Sequence, residues 1–320
     1  INFRKAFSLA INRSEWVGVT PGWKPAYYLI NGLYYYNIYE DPTSQYRTSE
    51  PGKQAVVNLY GVEYGDGKAY KDLDAAYDSI TGYNLTEAKS LMATACKELV
   101  DAGVYKQGED IKIRIAWMAG ALDDAATNQC TLIETYLNAA VEGSGFGKIT
   151  LEPVGNLSTR YEDVPNGKFC IGFGAWGGAA FYPFTMFRVY MDPDYAAIHE
   201  AACWSPDKEN LTLNINGEDV TMTWQAWSNA TSGVGRYANA DNDTKLKITA
   251  LLEENYLKQY YCIPLAAMTN CTMMSYQASN YTHEYNIMYD FGGLRLMRYN
   301  YNDEEWAAYV SSQNGALSYE

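Results

Sequence analysis

Six cysteines, two histidines and 38 acidic residues are the obvious chemical groups of this 320-residue chain. Their spacing assigns none of them a reaction. Cys96, Cys130, Cys170, Cys203, Cys262 and Cys271 form no C-x-x-C pair. His199 and His283 stand at no ligand-like spacing from them, so no Cys-His metal site is expected. Cys96 falls in a helical apolar pattern and Cys170 in a strand pattern, where both read as small buried apolar residues. The even count permits disulfides but defines no framework. His199 has no second histidine at metalloprotease spacing. Asp123-Asp124 and Glu304-Glu305 fall at expected helix starts, where the helix dipole accounts for them without catalysis. No G-x-x-x-x-G-K-[ST] loop and no G-x-S-x-G elbow occurs. A glycosidase acid pair could hide among the carboxylates, but nothing singles one out. No catalytic residue, metal or cofactor is therefore assigned, and no motif supports an enzyme.

The residue types that could make a binding surface are aromatic. There are 30 tyrosines and 8 tryptophans, and such side chains hold amphipathic ligands such as peptides or sugars. Most of them also suit half-buried positions of an ordinary α/β protein. The segment 168-KFCIGFGAWGGAAFYPFTMF-187 stands apart. It begins as a buried strand, Phe169 to Phe173, and runs into glycine, tryptophan, alanine and an aromatic-proline pair. A surface loop would be polar, and a packed core would not need these glycines. Trp176 at a strand end serves either as core or as the wall of a cleft. Gly174, Gly177 and Gly178 favour the cleft, because glycine beside an aromatic marks close approach of another backbone or ligand, and pockets form at strand C-termini. Trp176, Gly177, Gly178, Ala179, Ala180, Phe181 and Tyr182 are thus the candidate ligand-binding residues. Trp23, Trp117, Tyr289 and Phe291 are weaker candidates. Trp117 ends a strand and faces either the cleft or a covering helix. Tyr289 and Phe291 repeat the aromatic-glycine theme beside Gly292-Gly293.

The elements that must position these residues follow from periodicity. Residues 2–17 place Phe3, Ala6, Phe7, Ala10 and Ile11 on one helical face, with Asn2 as N-cap. Residues 18–80, punctuated by Pro and Gly, read as a long irregular region, and loops of that length are usually functional or lid-like. Asn84 and Glu87 open a helix that Gly103 ends. A strand over 111–118, a helix from Asp123 to Glu142, a strand over 148–154 and a short helical piece after Ser158 follow. With the strand at 169–173, this alternation predicts an α/β sheet with parallel pairs. A helix is expected from Asp192-Pro193 to about Ala202. Asn216-Gly217 between two alternating runs predicts a β-hairpin over 210–224. A helix from Asp243 to Tyr261, an extended apolar segment over 262–274 and a small helix begun by Asp303 complete the chain.

The composition is globular, 48% hydrophobic and 19% charged. A formal net charge of −14 argues against nucleic acid and anionic membranes as partners. No run of about 18 or more apolar residues spans a membrane. The start, Ile1-Asn2-Phe3, already lies inside an amphipathic pattern and reads as an internal boundary.

The order of these segments resembles a known family. Residues 4-RKAFSLAINRSEWV-17 are similar to the R-x-A-hydrophobic-x-x-A-I-[DN]-R helix of the solute-binding proteins of oligopeptide and dipeptide ABC transporters. The segment 83-YNLTEAKSLMATA-95 resembles that family's Y-[DN]-x-x-x-A-K-x-L-hydrophobic helix. Residues 251-LLEENYLKQYYCIPLAAMTN-270 resemble its helix running into an I-P-L strand, and 169-FCIGFGAW-176 takes the place of its W-x-x-D segment.

The resemblance implies the second lobe of a two-lobed α/β clamp of the periplasmic-binding-protein-like II type, a mixed sheet flanked by helices. Residues 1–281 would form that lobe, with 18–80 as an insertion, and 282–320 would return towards a first lobe that this segment lacks. Hinge crossings would fall near residue 1 and residues 275–285. The implied protein is an extracytoplasmic lipoprotein or periplasmic monomer that binds a small ligand and delivers it to ABC permease subunits. Trp176 matches the family's cleft tryptophan. Ala179 stands where the family commonly has the acid that pairs with a peptide's α-amino group. The implied ligand is an oligopeptide, and the lost acid keeps an oligosaccharide open. A secreted hydrolase or adhesion module is a remoter reading.

Overall fold

The alternation over 111–117 produces the central strand of a parallel sheet. The computed structural model describes residues 1–20, 22–38, 40–117, 120–156, 160–174, 183–194, 204–268, 275–279, 285–286, 290–291 and 297–314. These fall into two compact units, Ile1–Met268 and Thr269–Glu320.

The first unit begins with α1 (Asn2–Ala10), α2 (Arg13–Val17), β1 (Trp23–Pro25), α3 (Glu50–Tyr60), α4 (Leu73–Asp78) and α5 (Leu85–Asp101). It continues with β2 (Ile111–Trp117), α6 (Asp124–Val141), β3 (Ile149–Gly155), α7 (Arg160–Asp163), β4 (Ile171–Gly172) and α8 (Arg188–Met191). The hairpin β5 (Asn210–Ile215) and β6 (Glu218–Thr223), α9 (Trp224–Asn229), α10 (Asn242–Leu257) and β7 (Ala266–Met268) complete it. The second unit contains β8 (Ala278–Ser279), β9 (Tyr285–Asn286), β10 (Asp290–Phe291), β11 (Arg298–Tyr299) and α11 (Asp303–Ser312).

The α/β alternation gives the parallel sheet β3-β2-β4, with Ile111 to Trp117 in register with Ile149 to Gly155, and Ile115 opposite Ile171. One core joins this sheet to α1, α5 and α6 through residues such as Ala6, Met92, Ile115, Leu137 and Ile149. Met92, Leu137 and Ile149 are wholly buried, each stabilising by about 1.5–3 kcal/mol. A second core gathers α8, α9, α10 and the hairpin. Asn216 (φ 55°) and Gly217 (φ 92°) turn that hairpin, the two successive positive φ values that an Asn-Gly turn supplies. In the second unit α11 starts at Asn302 with a full capping box to Glu305.

Several expectations change. The first helix is two. Asn12 is extended and its side chain accepts from the Glu15 N–H, so it caps α2 and interrupts the periodic face. Asn2 is not the cap; it lies inside α1, and its amide donates to Glu98. The buried Arg13 fixes the break. Its guanidinium donates to the carbonyls of Ser8, Ile11, Gly82 and Pro264 and to the Ser8 hydroxyl. A Cβ at Gly82 would lie 2.9 Å from Arg13 Nη1, and its φ of +68° already favours glycine.

The region 18–80 is not irregular throughout, since it contains α3 and α4. Pro51-Gly52, read as a breaker, lies in the first turn of α3, where proline is tolerated. Ser49 caps that helix by accepting from the Gly52 N–H. Tyr46 and Ile30 from the same region are fully buried in the second core. The strand at 169–173 shortens to Ile171–Gly172, and Cys170 is exposed, because β4 is an edge strand among the described residues. In the 262–274 segment, β7 pairs antiparallel with β1, Trp23 opposite Met268.

Asp192 ends α8, and residues 195–203 of the helix expected after it lie outside the described residues. The buried Asp192 carboxylate accepts from Gln225 Nε2 at 2.9 Å, Asn229 Nδ2 at 2.8 Å and the Asp194 N–H at 3.1 Å. Burial pushes its pKa up, but these donors and Arg188 outweigh burial and hold it below the usual carboxylate value. Its stabilisation is therefore complete above the unfolded-state pKa and lost as pH falls through the lowered folded value. Asp192→Ala is expected to cost about 1–3 kcal/mol at pH 7 through the donors left unpaired. The difference from the parent should narrow in urea unfolding at pH 2–3. A gap that is constant with pH would refute this account.

Candidate ligand-binding site

The carboxyl ends of β2 and β4 carry a connected group of four aromatic rings. Trp117 is the last residue of β2, and Phe173 follows β4 directly, its N–H donating to the Ala116 carbonyl at 2.8 Å. Their rings stack at 4.0 Å and 7°. Trp23, held in β1 by pairing with β7, lies parallel to Phe173 at 6.5 Å and 14°. Trp16, on α2, contacts both, at 5.5 Å from Trp23 and 6.0 Å from Phe173.

Two of the four rings form a floor. Trp16 is 0% exposed and Trp117 5%. The Trp16 indole N–H donates to the Gln129 carbonyl at 3.1 Å, and Gln129 in turn donates to Thr20 Oγ1 at 2.6 Å. Beyond Trp117, the Asn156 N–H donates to the Trp117 carbonyl, and the Asn156 amide donates to Asp163. Trp23 and Phe173 are half-buried and supply the ring surface that reaches outward. Among the described residues the Trp23 indole N–H has no acceptor, unlike those of Trp16 and Trp227. The arrangement offers flat apolar surface and a hydrogen-bond donor.

Of the residues expected at the site, Trp23 and Trp117 come together here. Trp117 is packed as floor, which leaves little of its ring accessible. Trp176, Gly177, Gly178, Ala179, Ala180, Phe181, Tyr182 and Tyr289 lie outside the described residues. Phe291 lies in β10, opposite Tyr285, with its side chain outside what is described. Sequence reasoning did not place Trp16 and Phe173 at the site. The available signal was an aromatic beside each of two strand or helix ends, too common a pattern to select them.

No group of three or more metal-ligating side chains occurs among the described residues. A shallow depression of about 360 Å³ lies between α3 and α4, lined by Glu50, Lys53, Asp72 and Asp74. Lys53 is already paired there with Asp74 at 2.7 Å, so it offers little unsatisfied charge.

No family model matches the sequence, and none of the curated proteins does. Solved structures do match. A peptide-binding protein of a peptide ABC transporter superimposes with a TM-score of 0.53 at 16% identity, over 83% of this chain and 89% of that one. The Haemophilus influenzae OppA, solved in complex with the peptide RPPGFSPFR, gives 0.51 at 16% identity. It covers 88% of this chain but 42% of OppA, so the present chain spans less than half the length of that protein. This chain has the fold of the oligopeptide-binding proteins. That periplasmic-binding-protein-like α/β fold is the one that the order of sequence motifs implies, and its parallel strands carry the aromatic group at their carboxyl ends. Among the described residues no helix is long and apolar enough to cross a membrane.

Proposed function

We propose that the chain is the ligand-clamping lobe of an extracytoplasmic solute-binding protein that takes up an oligopeptide and presents it to ABC permease subunits. The observation that carries this reading is the fold shared with two peptide-binding proteins over more than four fifths of the chain. The preformed aromatic surface at the ends of β2 and β4 supports it, since open α/β sheets bind ligands beyond their strand carboxyl ends. Ligand is held between this lobe and a second one. Residues 176–182 line the cleft, and 282–320 return to the other lobe. The protein acts as a monomer and without catalysis. An extended peptide gains main-chain hydrogen bonds at a strand edge and places side chains in pockets.

Ala179 bears on which peptide. An alanine does not neutralise an ammonium group, and a buried unpaired charge is costly. The bound peptide therefore either has its amino group elsewhere or meets an acid from the other lobe. The same alanine, with the tryptophans and tyrosines, favours an oligosaccharide as the competing ligand.

Thermal unfolding of the full-length protein with peptide mixtures and with oligosaccharides separates the two. Peptides at about 100 times their Kd should stabilise by about 2.7 kcal/mol, with oligosaccharides inert. Stabilisation by oligosaccharides alone would overturn the peptide reading, and turnover of either ligand would overturn both.

A further inference from the structure

We infer that Trp23 and Phe173 form a subsite for an aromatic side chain of the bound peptide. This rests on the peptide-binding reading and adds a preference to it. Three observations converge. The two half-buried rings lie parallel, 14° apart with centroids at 6.5 Å. They stand on a fixed floor, because Phe173 stacks on the buried Trp117, and Trp23 and Phe173 each contact the wholly buried Trp16. The Trp23 indole N–H has no acceptor among the described residues.

The physical consequences follow in order. Rings held by packing lose little conformational freedom when a ligand arrives, so more of the stacking energy appears as affinity. An incoming Phe, Tyr or Trp ring finds faces and edges for offset or edge-to-face contact. The Trp23 indole N–H can donate to the carbonyl of the same peptide unit or to a tyrosine hydroxyl, as a Trp with one apolar and one wet end commonly does. A lysine or arginine side chain is the competitor, since ring faces also attract cations. Cations in this structure sit over other rings, Arg4 over Tyr261 and Arg47 over Tyr28 and Tyr46. At the Trp23–Phe173 pair a cation would have to shed water against the buried rings of Trp16 and Trp117.

The test is calorimetric titration of the full-length protein with tetra-alanine and with its variants carrying Phe or Lys at each position in turn. At one position Phe should bind roughly 3- to 10-fold more tightly than Ala, and Lys no more tightly than Ala. In Trp23→Ala and in Phe173→Leu the Phe-to-Ala ratio should fall towards one. Trp23→Leu keeps apolar bulk if the alanine variant does not fold, and thermal unfolding reports which variants do. Peptides that bind with no Phe preference would overturn the subsite and leave the peptide-binding reading standing. So would a preference for Lys, or a Phe preference that survives unchanged in the folded variants. Failure of every peptide to bind would overturn the underlying reading itself.

Discussion

Glu253→Gln is expected to destabilise the protein by about 3–5 kcal/mol, the usual consequence of removing one partner from a buried ion pair. Glu253 is 1% exposed and Arg47 6%. Arg47 Nη2 donates to both carboxylate oxygens, at 2.5 and 2.7 Å. The remaining lone pairs are used as well, by the backbone N–H groups of Leu29 and Ile30 at 2.9 and 3.0 Å and by the Tyr46 hydroxyl at 2.8 Å. The other guanidinium nitrogens donate to the carbonyls of Ile30 and Gly52.

Burial opposes the charge on Arg47, but Glu253 and Tyr46 outweigh it and raise its pKa above the ordinary value. Burial, then Glu253, pushes the Tyr46 hydroxyl well up, so it stays protonated and donates. Glutamine keeps an oxygen for the N–H donors and leaves the guanidinium buried without its counter-charge. The cost should appear in urea unfolding as a lowered midpoint at unchanged slope. Arg47→Met combined with Glu253→Gln should recover much of the loss, because no buried charge then remains. A single variant within 1 kcal/mol of the parent would contradict this role of the pair.

Trp16→Ala is expected to cost about 3–5 kcal/mol, the range for deleting a buried large aromatic side chain. It also removes the indole hydrogen bond to the Gln129 carbonyl. Its second effect is on binding. Trp16 supports both Trp23 and Phe173, so its loss lets the half-buried pair collapse into the vacated space. Peptide affinity should then weaken in the variant that remains folded, even though Trp16 itself is fully buried. Trp16→Phe preserves most of the ring contact and should lose less in both measurements. Unfolding within about 1 kcal/mol of the parent would show that the neighbours fill the space without penalty, and the floor described above would then be wrong.

How much of this could be read in advance depends on the range of the interaction. Asn84 accepts from the Glu87 N–H and starts α5, as the N-x-x-E spacing predicts. Asp123 likewise caps α6. Asn216-Gly217 turns the hairpin, and the alternation over 111–117 becomes the central strand. Each of these is decided within about four residues, by a cap, a turn or a side-chain period. The helix α3 was hidden because proline and glycine break a helix in its interior but not in its first turn, and only Ser49's position distinguishes the two. The break between α1 and α2 was hidden because Asn12 competes with a continuous apolar stripe, and Arg13 needs carbonyls from residues 82 and 264 to hold it.

Local sequence suffices for the α/β order, the helix and turn boundaries set by caps, the charge that argues against nucleic acid and anionic membranes, and the motif order that points to the oligopeptide-binding fold. Only the tertiary structure decided that Arg47 meets Glu253 across 206 residues and that Trp16, Trp23, Trp117 and Phe173 form one aromatic group. A cap or a turn is stabilised by groups already adjacent along the chain. A buried charge or a shared ring surface acquires its partner only when burial of apolar area brings distant segments together.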